Sequence, residues 1–501
     1  MAISKFGYDS YWTEPSSQTE IDLLENDGDI NSINKLLNFV AKHYVNKLAL
    51  ATTNGLHKTY QELLDDISLA RGYLNKQNIK KGDVVCLQMN NEYNFAVYFL
   101  AVTTLGAIAN SVPMQMPLEV VDKIVTKNKA KLVIYSNVIA GLYQTWHNQT
   151  PALNVNNIVW NKRIDMTEVN ENDVAAFYMT GGTVNFPKTV ILTHRNLTRG
   201  MANGAYGYKT VLYQRHYAII PFFHIFGLVR GLLTVMYTGG ENYLCADFKN
   251  IMKDLPLCQP TFLVLTPGLV EMICFYGTKD LQLVGGHINT IICGGAPISI
   301  PLLKKANALG IFTCPGYGLT ESSNLTSGNR FPNEKPQSMG HLFPHQEIKI
   351  VNQEIWLRGE NISPGYYQDD ANNQLSYDDG WFKTGDLGEY QDGELIVKGR
   401  IKNLIILKSG EKFPPEEIET IFNNFPMIKE SLVYLNQDMV ILEVFPYEIP
   451  NMPNEQRDQK IKGYFDQVCQ KLPTFMKINN FIIRKEDFKR SAAMKLLRNQ
   501  Q

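Results

Sequence analysis

The chain has 501 residues, enough for about two to four domains, and its 44% of hydrophobic residues favours a large buried core over disorder. The 48 Lys and Arg against 49 Asp and Glu give a net charge of -1 with no acidic or basic block, so the sequence offers no electrostatic case for nucleic acid as a main partner. Seven scattered cysteines without a C-x-x-C pair argue against a disulfide framework or a zinc site and favour a reducing compartment.

The first residues of the chain are polar and contain no apolar signal core. No uninterrupted apolar run approaches the roughly 20 residues that a membrane-spanning helix requires. We therefore expect a cytoplasmic protein without a transmembrane segment.

Strands and helices alternate in the first part of the chain. The spacing of Thr59 and Glu62 resembles a capping box at the start of a helix. Apolar residues at helical spacing predict helices over 18–45, 59–74 and 92–105 and from Leu118, and short apolar runs predict strands over 84–89, 108–112 and 132–135. This order is typical of parallel βαβ units.

The stretch 178–194, YMTGGTVNFPKTVILTH, predicts a strand, a small-residue loop and a second strand. An apolar run over 174–179 leads into the loop TGGT at 180–183, and a second run follows at 190–192. Glycines let the backbone adopt positive φ and approach a ligand closely, and exposed N–H groups beside hydroxyls favour an anion such as phosphate. A polar hairpin turn is the alternative interpretation of this loop taken alone.

The alternation continues after this loop. Helices are predicted over 195–205 and 228–237, and strands over 217–221, 262–265 and 290–293. The last two strands end at turn residues, and in open α/β sheets ligands bind at the carboxyl ends of strands. The loops after these strands are therefore expected to carry the chemistry.

The pattern of the sequence changes in its last third. Short alternating runs at 348–351, 354–357 and 393–398 predict antiparallel strands. A charged segment at 398–403 then precedes a last unit of roughly one hundred residues, which is the size of a small domain.

These elements predict an α/β fold of two domains. The first, residues 1–400, is a large N-terminal domain of βαβ-type sheets with a small antiparallel-containing part. The second, residues 401–501, is a small mobile α+β C-terminal domain. A hinge is expected near Lys402.

Several motifs follow one another in a fixed order along the chain. They are TGGT with a Pro-Lys pair at 180–188, PFFHIFG at 221–227, GGAP at 294–297, GYGLTE at 316–321, WFKTGD at 381–386, GRIK at 399–402 and PEEIE at 415–419. Any one of them is a weak signal, whereas the ordered set is a strong one. Together they resemble the adenylate-forming superfamily of acyl-CoA synthetases, fatty acyl-AMP ligases, 4-coumarate ligases, luciferases and adenylation domains, over roughly residues 30–500.

This resemblance implies an enzyme that joins a carboxylate to the α-phosphate of ATP and releases pyrophosphate. The acyl group then passes to a thiol, either of coenzyme A or of the phosphopantetheine on an acyl carrier protein. Such a site has to bring two anions together, with positioned donors and a cation, Mg2+. The positions that match the family's phosphate and nucleotide contacts are Thr180, Gly181, Gly182, Thr183, Lys188, Gly295, Ala296, Pro297, Tyr317, Gly318, Asp386 and Arg400.

The matching positions imply a role for each part of the nucleotide site. The loop at 180–183 would hold the β- and γ-phosphates, and residues 295–297 with Tyr317 would sandwich the adenine. Asp386 would accept both ribose hydroxyls, with Arg400 as its partner toward ribose and phosphate.

The resemblance also implies the catalytic residues. Lys495 would be the catalytic lysine that enters the site for adenylation, before the small domain rotates to admit the thiol. Thr320 would contact the α-phosphate, and Glu321 would bind magnesium together with Thr183. His224 would border the acyl channel.

Each of these residues alone also fits a structural role. Asp386 could be a turn residue, His224 a buried histidine and Glu321 the start of a helix. The ordered set of motifs favours the functional interpretation over these alternatives.

The chain departs from the family pattern at both ends of its site. Val184, Asn185 and Thr189 stand where relatives usually carry Thr, Gly and Gly, and Met494 replaces the Gly before Lys495. Asn tolerates left-handed backbone better than most residues, so the turn at Asn185 is expected to persist. These departures leave a catalytically impaired nucleotide- or acyl-binding homologue as an alternative.

The acyl substrate is predicted to be apolar. Amino-acid-activating relatives carry an Asp where this chain has Phe222 and Phe223, and aryl-acid relatives often place an Asn beside the position of His224. The sequence therefore favours a fatty or arylalkyl carboxylic acid, with coenzyme A as acceptor. An acyl-AMP ligase that loads a carrier protein is the alternative, because both acceptors present the same thiol arm.

Overall fold

The computed structural model describes residues 30–180, 187–205, 213–489 and 496–498. In chain order the strands are β1 (Leu48–Ala51), β2 (His57–Thr59), β3 (Val84–Gln88), β4 (Ile108–Val112), β5 (Ala130–Tyr135), β6 (Ala152–Asn154), β7 (Val174–Met179), β8 (Thr189–Thr193), β9 (Arg215–Ala218), β10 (Glu241–Leu244), β11 (Phe262–Leu265), β12 (Thr290–Cys293), β13 (Phe312–Leu319), β14 (Asn324–Gly328), β15 (His341–Leu342), β16 (Gln346–Val351), β17 (Glu354–Gly359), β18 (Tyr377–Asp378), β19 (Trp381–Gln391), β20 (Glu394–Arg400), β21 (Ile405–Ile406), β22 (Lys412–Phe413), β23 (Ile428–Asn436), β24 (Met439–Pro446) and β25 (Asn480–Ile483). The helices are α1 (Ile33–His43), α2 (Tyr60–Lys76), α3 (Tyr93–Thr104), α4 (Leu118–Lys127), α5 (His194–Asn203), a π-helix (Gly227–Leu233), α6 (Thr234–Tyr237), α7 (Ile251–Cys258), α8 (Pro267–Gly277), α9 (Ile300–Ala308), α10 (Asp370–Ser376), α11 (Pro415–Asn423) and α12 (Asn454–Cys469).

The first large sheet has the strand order β6-β5-β3-β4-β7-β8. Its neighbouring strands are parallel except at β8, which runs antiparallel to β7; these are the two strands that the sequence predicted on either side of the loop. Helix α3 joins β3 to β4 and helix α4 joins β4 to β5. The predicted βαβ units are therefore confirmed, since parallel neighbours need such crossovers.

The second large sheet has the order β15-β14-β13-β12-β11-β9-β10-β1-β2. Its central strands β1, β10, β9, β11, β12 and β13 are parallel, and antiparallel pairs form its two edges. The GGAP motif follows β12 and the GYGLTE motif ends β13. Two motifs thus meet at the carboxyl edge of neighbouring parallel strands, of which the sequence predicted β12 with the GGAP loop after it.

One hydrophobic core joins the two large sheets. Helix α3 is buried at every residue from 95 to 104. A helix that is apolar on all sides is one enclosed by the protein. The core around it includes Leu87 and Leu132 from the first sheet and Leu263 and Ile291 from the second, so the sheets pack against each other.

The last third of the described chain contains the antiparallel strands that were predicted over 348–357 and 393–398. Strands β16, β17, β19 and β18 pair in that order, with β20 beside β19. Strands β23, β24 and β25 form a separate mixed sheet, in which β23 and β24 are antiparallel and β24 and β25 are parallel, and a hydrophobic cluster from Ile405 to Ile478 packs around it. The division of the chain near residue 400 stays a proposal.

The structure tests the start of two predicted helices. Of the helix predicted over 18–45, the described part begins at Ile33, because the Ser32 side chain accepts the N–H of Lys35 and caps it. The capping box of Thr59 and Glu62 is confirmed at the start of α2. None of the helices within the described ranges has the length and apolar content to cross a bilayer.

Candidate active site

Strand β13 changes partner in the GYGLTE motif. Its first half runs parallel to β12, whereas residues 316–319 pair antiparallel with β14, and the register shifts between Tyr317 and Gly318. A Cβ at Gly318 would overlap the carbonyl oxygen of Asn324, so glycine is what lets the two strands approach. The bend brings Tyr317 and Glu321 to the carboxyl edge of the parallel strands.

A buried carboxylate, that of Asp386, lies between a tyrosine and an arginine. Tyr317 Oη donates to Asp386 Oδ2 over 2.7 Å, and Arg400 Nε lies 2.8 Å from Oδ1. Asp386 and Arg400 are direct partners on β19 and β20, so the register of that pair sets the ion pair. Burial raises the pKa of Asp386, and Arg400 and Tyr317 counter part of the rise. The Arg400 side chain is 46% exposed, against 3% for Asp386. Arg400 is therefore the member of the pair that a ligand arriving from solvent can contact.

A second buried carboxylate, Glu321, has the same kind of support. Tyr366 Oη donates to Glu321 Oε1 over 2.7 Å, and Lys188 Nζ lies 4.6 Å from the centre of the Tyr366 ring. Burial raises the pKa of Glu321, while the Tyr366 hydrogen bond and the charges of Arg400 and Lys188 counter it. The structure thus brings the predicted residues Lys188, Glu321 and Arg400 within electrostatic reach of one another.

Tyr366 is a site residue that the sequence did not predict. Its segment lies against β8, where Tyr366 forms a bridge with Val190 and the Ile191 N–H donates to the Gly365 carbonyl over 3.0 Å. The Pro364-Gly365 turn before it is the signal that could have drawn attention to this position. The role of Tyr366 depends on a contact with a residue 45 positions away.

The hairpin β7–β8 closes at its base through a backbone hydrogen bond. The Thr180 N–H donates to the Lys188 carbonyl over 3.1 Å, so the two ends of the predicted phosphate loop are hydrogen-bonded to each other. The residues predicted between these ends that lie outside the described ranges are Gly181, Gly182, Thr183, Val184 and Asn185.

Thr189, one of the departures from the family pattern, points into the core. It is fully buried, and its Oγ1 donates to Asn128 Oδ1 over 3.3 Å. Asn128 itself donates to Asn110 Oδ1 over 2.7 Å. The Thr189 hydroxyl therefore has a buried hydrogen-bond partner, Asn128.

The strand before the PFFHIFG segment ends earlier than predicted. Strand β9 ends at Ala218, whereas the prediction ended at residue 221. Beyond the strand, the Asn91 side-chain amide supplies hydrogen-bond partners to the backbone. It donates to the Ile220 carbonyl over 3.0 Å and accepts the Phe222 N–H over 2.7 Å. His224 is half-buried in the turn that follows, just before the π-helix.

The predicted adenine loop and the apolar side of the site adjoin each other. Gly295, Ala296 and Pro297 form an exposed loop after β12, and Gly295 has a φ of 83°. At the start of that loop, a Cβ on Gly294 would lie 3.1 Å from Phe226 Cζ. The buried Phe226 ring thus borders the strand end that carries the loop.

The described ranges offer little for a metal beyond Glu321. No group of three His, Cys, Asp or Glu side chains within them is placed to hold a metal ion. Magnesium bound through one or two carboxylates and substrate phosphates needs no larger group, so a buried Glu321 beside the half-buried Thr320 fits that ion. The predicted catalytic Lys495 and its neighbour Met494 lie outside the described ranges.

The sequence matches a known family and named enzymes. The profile described as "AMP-binding enzyme" matches residues 37–367. The chain is 25% identical to an oxalate–CoA ligase of Arabidopsis thaliana, with 94% of this chain and 98% of that protein covered. It is 26% identical to a 2-succinylbenzoate–CoA ligase of Salmonella typhimurium, with 76% and 79% covered.

The fold is similar to that of solved enzymes. The anthranilate CoA ligase AuaEII with anthranoyl-AMP has a TM-score of 0.83 at 17% identity, covering 94% of this chain and 96% of that one. An o-succinylbenzoate coenzyme A synthetase of Bacillus subtilis with ATP and magnesium has a TM-score of 0.78 at 21% identity, covering 93% and 98%. At these identities the likeness is one of fold.

Proposed function

The chain belongs to the AMP-binding enzyme family, as an acid–thiol ligase of the adenylate-forming type, and on that premise we propose that it makes an acyl-coenzyme A from a fatty or arylalkyl acid. In the first half-reaction a carboxylate oxygen attacks the α-phosphorus of ATP, the α–β bridging bond breaks and pyrophosphate leaves. In the second the coenzyme A sulfur attacks the acyl carbon, its proton goes to solvent and AMP leaves.

The observation that carries this proposal is the buried Asp386 between Tyr317 and Arg400. A buried aspartate whose two oxygens are held by separate partners is suited to accept two ribose hydroxyls. Tyr317 orients one of its oxygens and Arg400 the other, and the exposed part of the guanidinium is free to meet a phosphate. The adenine would lie against the loop at 295–297.

The phosphates would be held by the hairpin β7–β8 and by Lys188. We assign their backbone contacts to Thr180, Gly181, Gly182 and Thr183, of which the described Thr180 closes the loop against Lys188. Magnesium would neutralise charge on the phosphates, and Glu321 and Thr183 would hold it while Thr320 meets the α-phosphate.

The acyl group would lie on the side of Phe222, His224 and Phe226. Both phenylalanine rings are buried, and the Tyr178 hydroxyl, 2.7 Å from the Phe222 carbonyl, fixes this segment to β7. An apolar wall of this kind favours an apolar acid. The relatives named for oxalate and 2-succinylbenzoate define the competing substrates to be tried.

Pyrophosphate release with a panel of acids tests this function. The panel comprises octanoate, phenylpropionate, 4-coumarate, oxalate and 2-succinylbenzoate, each with ATP and magnesium, with and without coenzyme A. We expect release that depends on the acid, with octanoate or phenylpropionate fastest. Absence of release with every acid would refute the proposal, and tight acyl-AMP binding without turnover would favour an impaired homologue. Phosphopantetheine on a carrier protein serves as the alternative acceptor in the same assay.

Lys495→Ala tests the role proposed for the C-terminal lysine. A cation that meets the developing charge in adenylation is needed in that half-reaction and not in thiol transfer. We expect adenylation to be lost by at least about 10²-fold, with transfer from preformed acyl-AMP retained. An equal loss of both half-reactions would contradict the assignment and the proposed rotation near Lys402.

A further inference from the structure

Both backbone polar groups of Phe222 are bound by side chains from another part of the chain. The Phe222 N–H donates to Asn91 Oδ1 over 2.7 Å, and the Phe222 carbonyl accepts from Tyr178 Oη over 2.7 Å. Phe222 lies in the acyl turn, which we define as residues 220–224, between strand β9 and the π-helix. A turn lacks the hydrogen-bond ladder of a strand, so the side chains that bind its peptide groups decide where it lies.

Asn91 fixes the start of the acyl turn. It is almost fully buried, and its Nδ2 donates to the carbonyls of Ala218, over 2.7 Å, and Ile220, over 3.0 Å. The Phe222 ring packs on Phe95 of helix α3, with 5.7 Å between the ring centres. The Tyr178 hydroxyl then connects the turn to a different element, strand β7.

Tyr178 is a rigid support for this contact. Strand β7 lies between β4 and β8, where Tyr178 pairs with Val190 and its neighbour Phe177 pairs with Asn110. The Tyr178 side chain is 1% exposed, and burial raises the pKa of its hydroxyl. The hydroxyl therefore stays protonated at neutral pH and remains a hydrogen-bond donor at a fixed place in the sheet.

The acyl turn carries the residues that border the acid and leads to the nucleotide side of the site. The His224 N–H donates to the Pro221 carbonyl over 2.9 Å, and the Leu228 N–H donates to the His224 carbonyl over 3.0 Å. A Cβ on Gly294 would lie 3.1 Å from Phe226 Cζ. A displaced turn would therefore move His224 and Phe226 relative to the strand end that carries the loop at 295–297.

We propose that Tyr178 is a positioning residue for the acyl site, whose hydroxyl fixes the acyl turn and thereby the places of His224 and Phe226. This inference rests on the proposed function, in which the acyl group lies on this side of the site. Tyr178 touches neither the nucleotide nor the acid in this role. Its hydroxyl acts on the recognition of the acid and leaves ATP binding unaffected.

Tyr178→Phe should raise the KM for the acid without raising the KM for ATP. The variant keeps the ring and leaves the buried Phe222 carbonyl without its donor. A difference of one methylene in an apolar pocket changes recognition by about 10-fold or more, so a shifted turn should lower kcat/KM for the fastest acid of the panel by about 10-fold. The KM for ATP should stay within about twofold of the wild-type value.

Tyr60→Phe is the matched control. Tyr60 is also fully buried, and its hydroxyl donates to the Gly240 carbonyl over 2.7 Å. Each variant removes one buried hydroxyl-to-carbonyl bond, so both should lose similar stability in chemical denaturation, whereas Tyr60→Phe should keep the wild-type KM for the acid. The proposal is overturned if Tyr60→Phe raises that KM as far as Tyr178→Phe does, if Tyr178→Phe leaves it unchanged, or if Tyr178→Phe raises both KM values alike.

Hydrogen exchange provides a readout that needs no activity. The His224 amide is bonded to Pro221 within the acyl turn, and we expect it to exchange faster in Tyr178→Phe than in wild type or in Tyr60→Phe. Unchanged exchange at His224 would show that the hydroxyl does not hold the turn.

A failure of the proposed function is distinguishable from a failure of this inference. If wild type releases no pyrophosphate with any acid, the proposed function fails, and calorimetry with octanoyl-AMP replaces the KM for the acid. We then expect Tyr178→Phe to bind octanoyl-AMP about 10-fold more weakly than wild type and Tyr60→Phe do. Equal affinity in all three proteins, or no binding by any of them, would overturn the role of Tyr178.

Discussion

Each of the two buried carboxylates of the site is held by a tyrosine hydroxyl and by nearby positive charge. Tyr317 donates to Asp386 and Tyr366 to Glu321, over 2.7 Å in both cases. Burial raises the pKa of both acids, and the hydroxyl and the cations oppose it. A neutral donor orients the carboxylate without cancelling its charge, which leaves that charge available to a substrate hydroxyl or a metal ion.

Tyr366→Phe should weaken the response to magnesium. The change removes the hydrogen bond to Glu321 and keeps the ring that Lys188 contacts. Loss of a group that orients a metal ligand typically costs about 10- to 100-fold in metal affinity or activity, so the magnesium concentration for half-maximal pyrophosphate release should rise by about 10-fold. Tyr367→Phe, at the next position, is the control and should leave the magnesium titration unchanged. Identical titrations for wild type and Tyr366→Phe would argue against this role.

Two buried histidines should make the protein less stable in mild acid. Burial lowers the pKa of both His194 and His216 to about 4, against about 6.5 in an unfolded chain. Between these values the unfolded chain binds the proton and the folded chain does not, so the free energy of unfolding falls as the pH drops from about 6.5 to about 4, by up to about 3 kcal/mol for each ring.

Denaturant unfolding at several pH values measures this effect. His216→Gln should reduce the fall in stability between about pH 6.5 and pH 4 by about half, because one of the two rings no longer titrates. His57→Gln, at an exposed position, is the control and should keep the wild-type profile. A wild-type stability that is flat over this pH range would contradict the prediction.

At the level of elements, the hairpin β7–β8 combines an unusual sequence with an ordinary strand pair. Its strands pair from Val174–Thr193 to Met179–Thr189 with one register shift, between Val174 and Ala176, and the Thr180 N–H closes its end on Lys188. The side chain of Thr189 bonds to Asn128 at the end of helix α4. Thr189, one of the departures from the family pattern, therefore contributes to packing in the core beside the sheet.

Thr189→Val should reduce stability and leave nucleotide binding unchanged. The variant keeps the shape of the side chain and leaves the buried Asn128 oxygen without its donor, which costs about 1–3 kcal/mol. Thr189→Ser retains the hydroxyl and should lose less. Chemical denaturation measures the stability, and the KM for ATP measures whether the loop still binds the nucleotide. A KM that rises about tenfold at unchanged stability would show that Thr189 acts on the loop instead.

At the scale of the whole molecule, the largest hydrophobic cluster of the described chain and the cluster around its last sheet share no residue. The large one spans Ile33 to Tyr366, and the smaller one surrounds the last sheet from Ile405 to Ile478. Between them Ile300, at the start of helix α9, donates its N–H to Asn424 Oδ1 over 3.0 Å. This organisation supports the proposed small domain after residue 400.

A chain ended after Asn403 should bind ATP and fail to adenylate. Tyr317, Glu321, Asp386 and Arg400 all lie within it, whereas Lys495 is removed. We expect calorimetry to give a dissociation constant for ATP within about 10-fold of that of full-length Lys495→Ala, and no pyrophosphate release. A shortened chain that aggregates or cannot bind ATP would contradict the proposed division.

The sequence by itself determined four buried strands and the family. Strands β4, β7, β11 and β12 have the bounds that their apolar runs predicted, because a short buried strand is specified by its own side chains. The ordered motifs identified the family for the same reason, since each motif is a local pattern.

Only the tertiary structure decided which residues meet. Tyr317 and Asp386 are 69 positions apart, Tyr366 and Glu321 are 45 apart, and Arg498 and Glu419 are 79 apart. Those pairs follow from a register shift in β13, from the bridge between Val190 and Tyr366, and from the ion pair of Arg498 with helix α11. Strand register and packing depend on distant partners, so no local window of the sequence contains them.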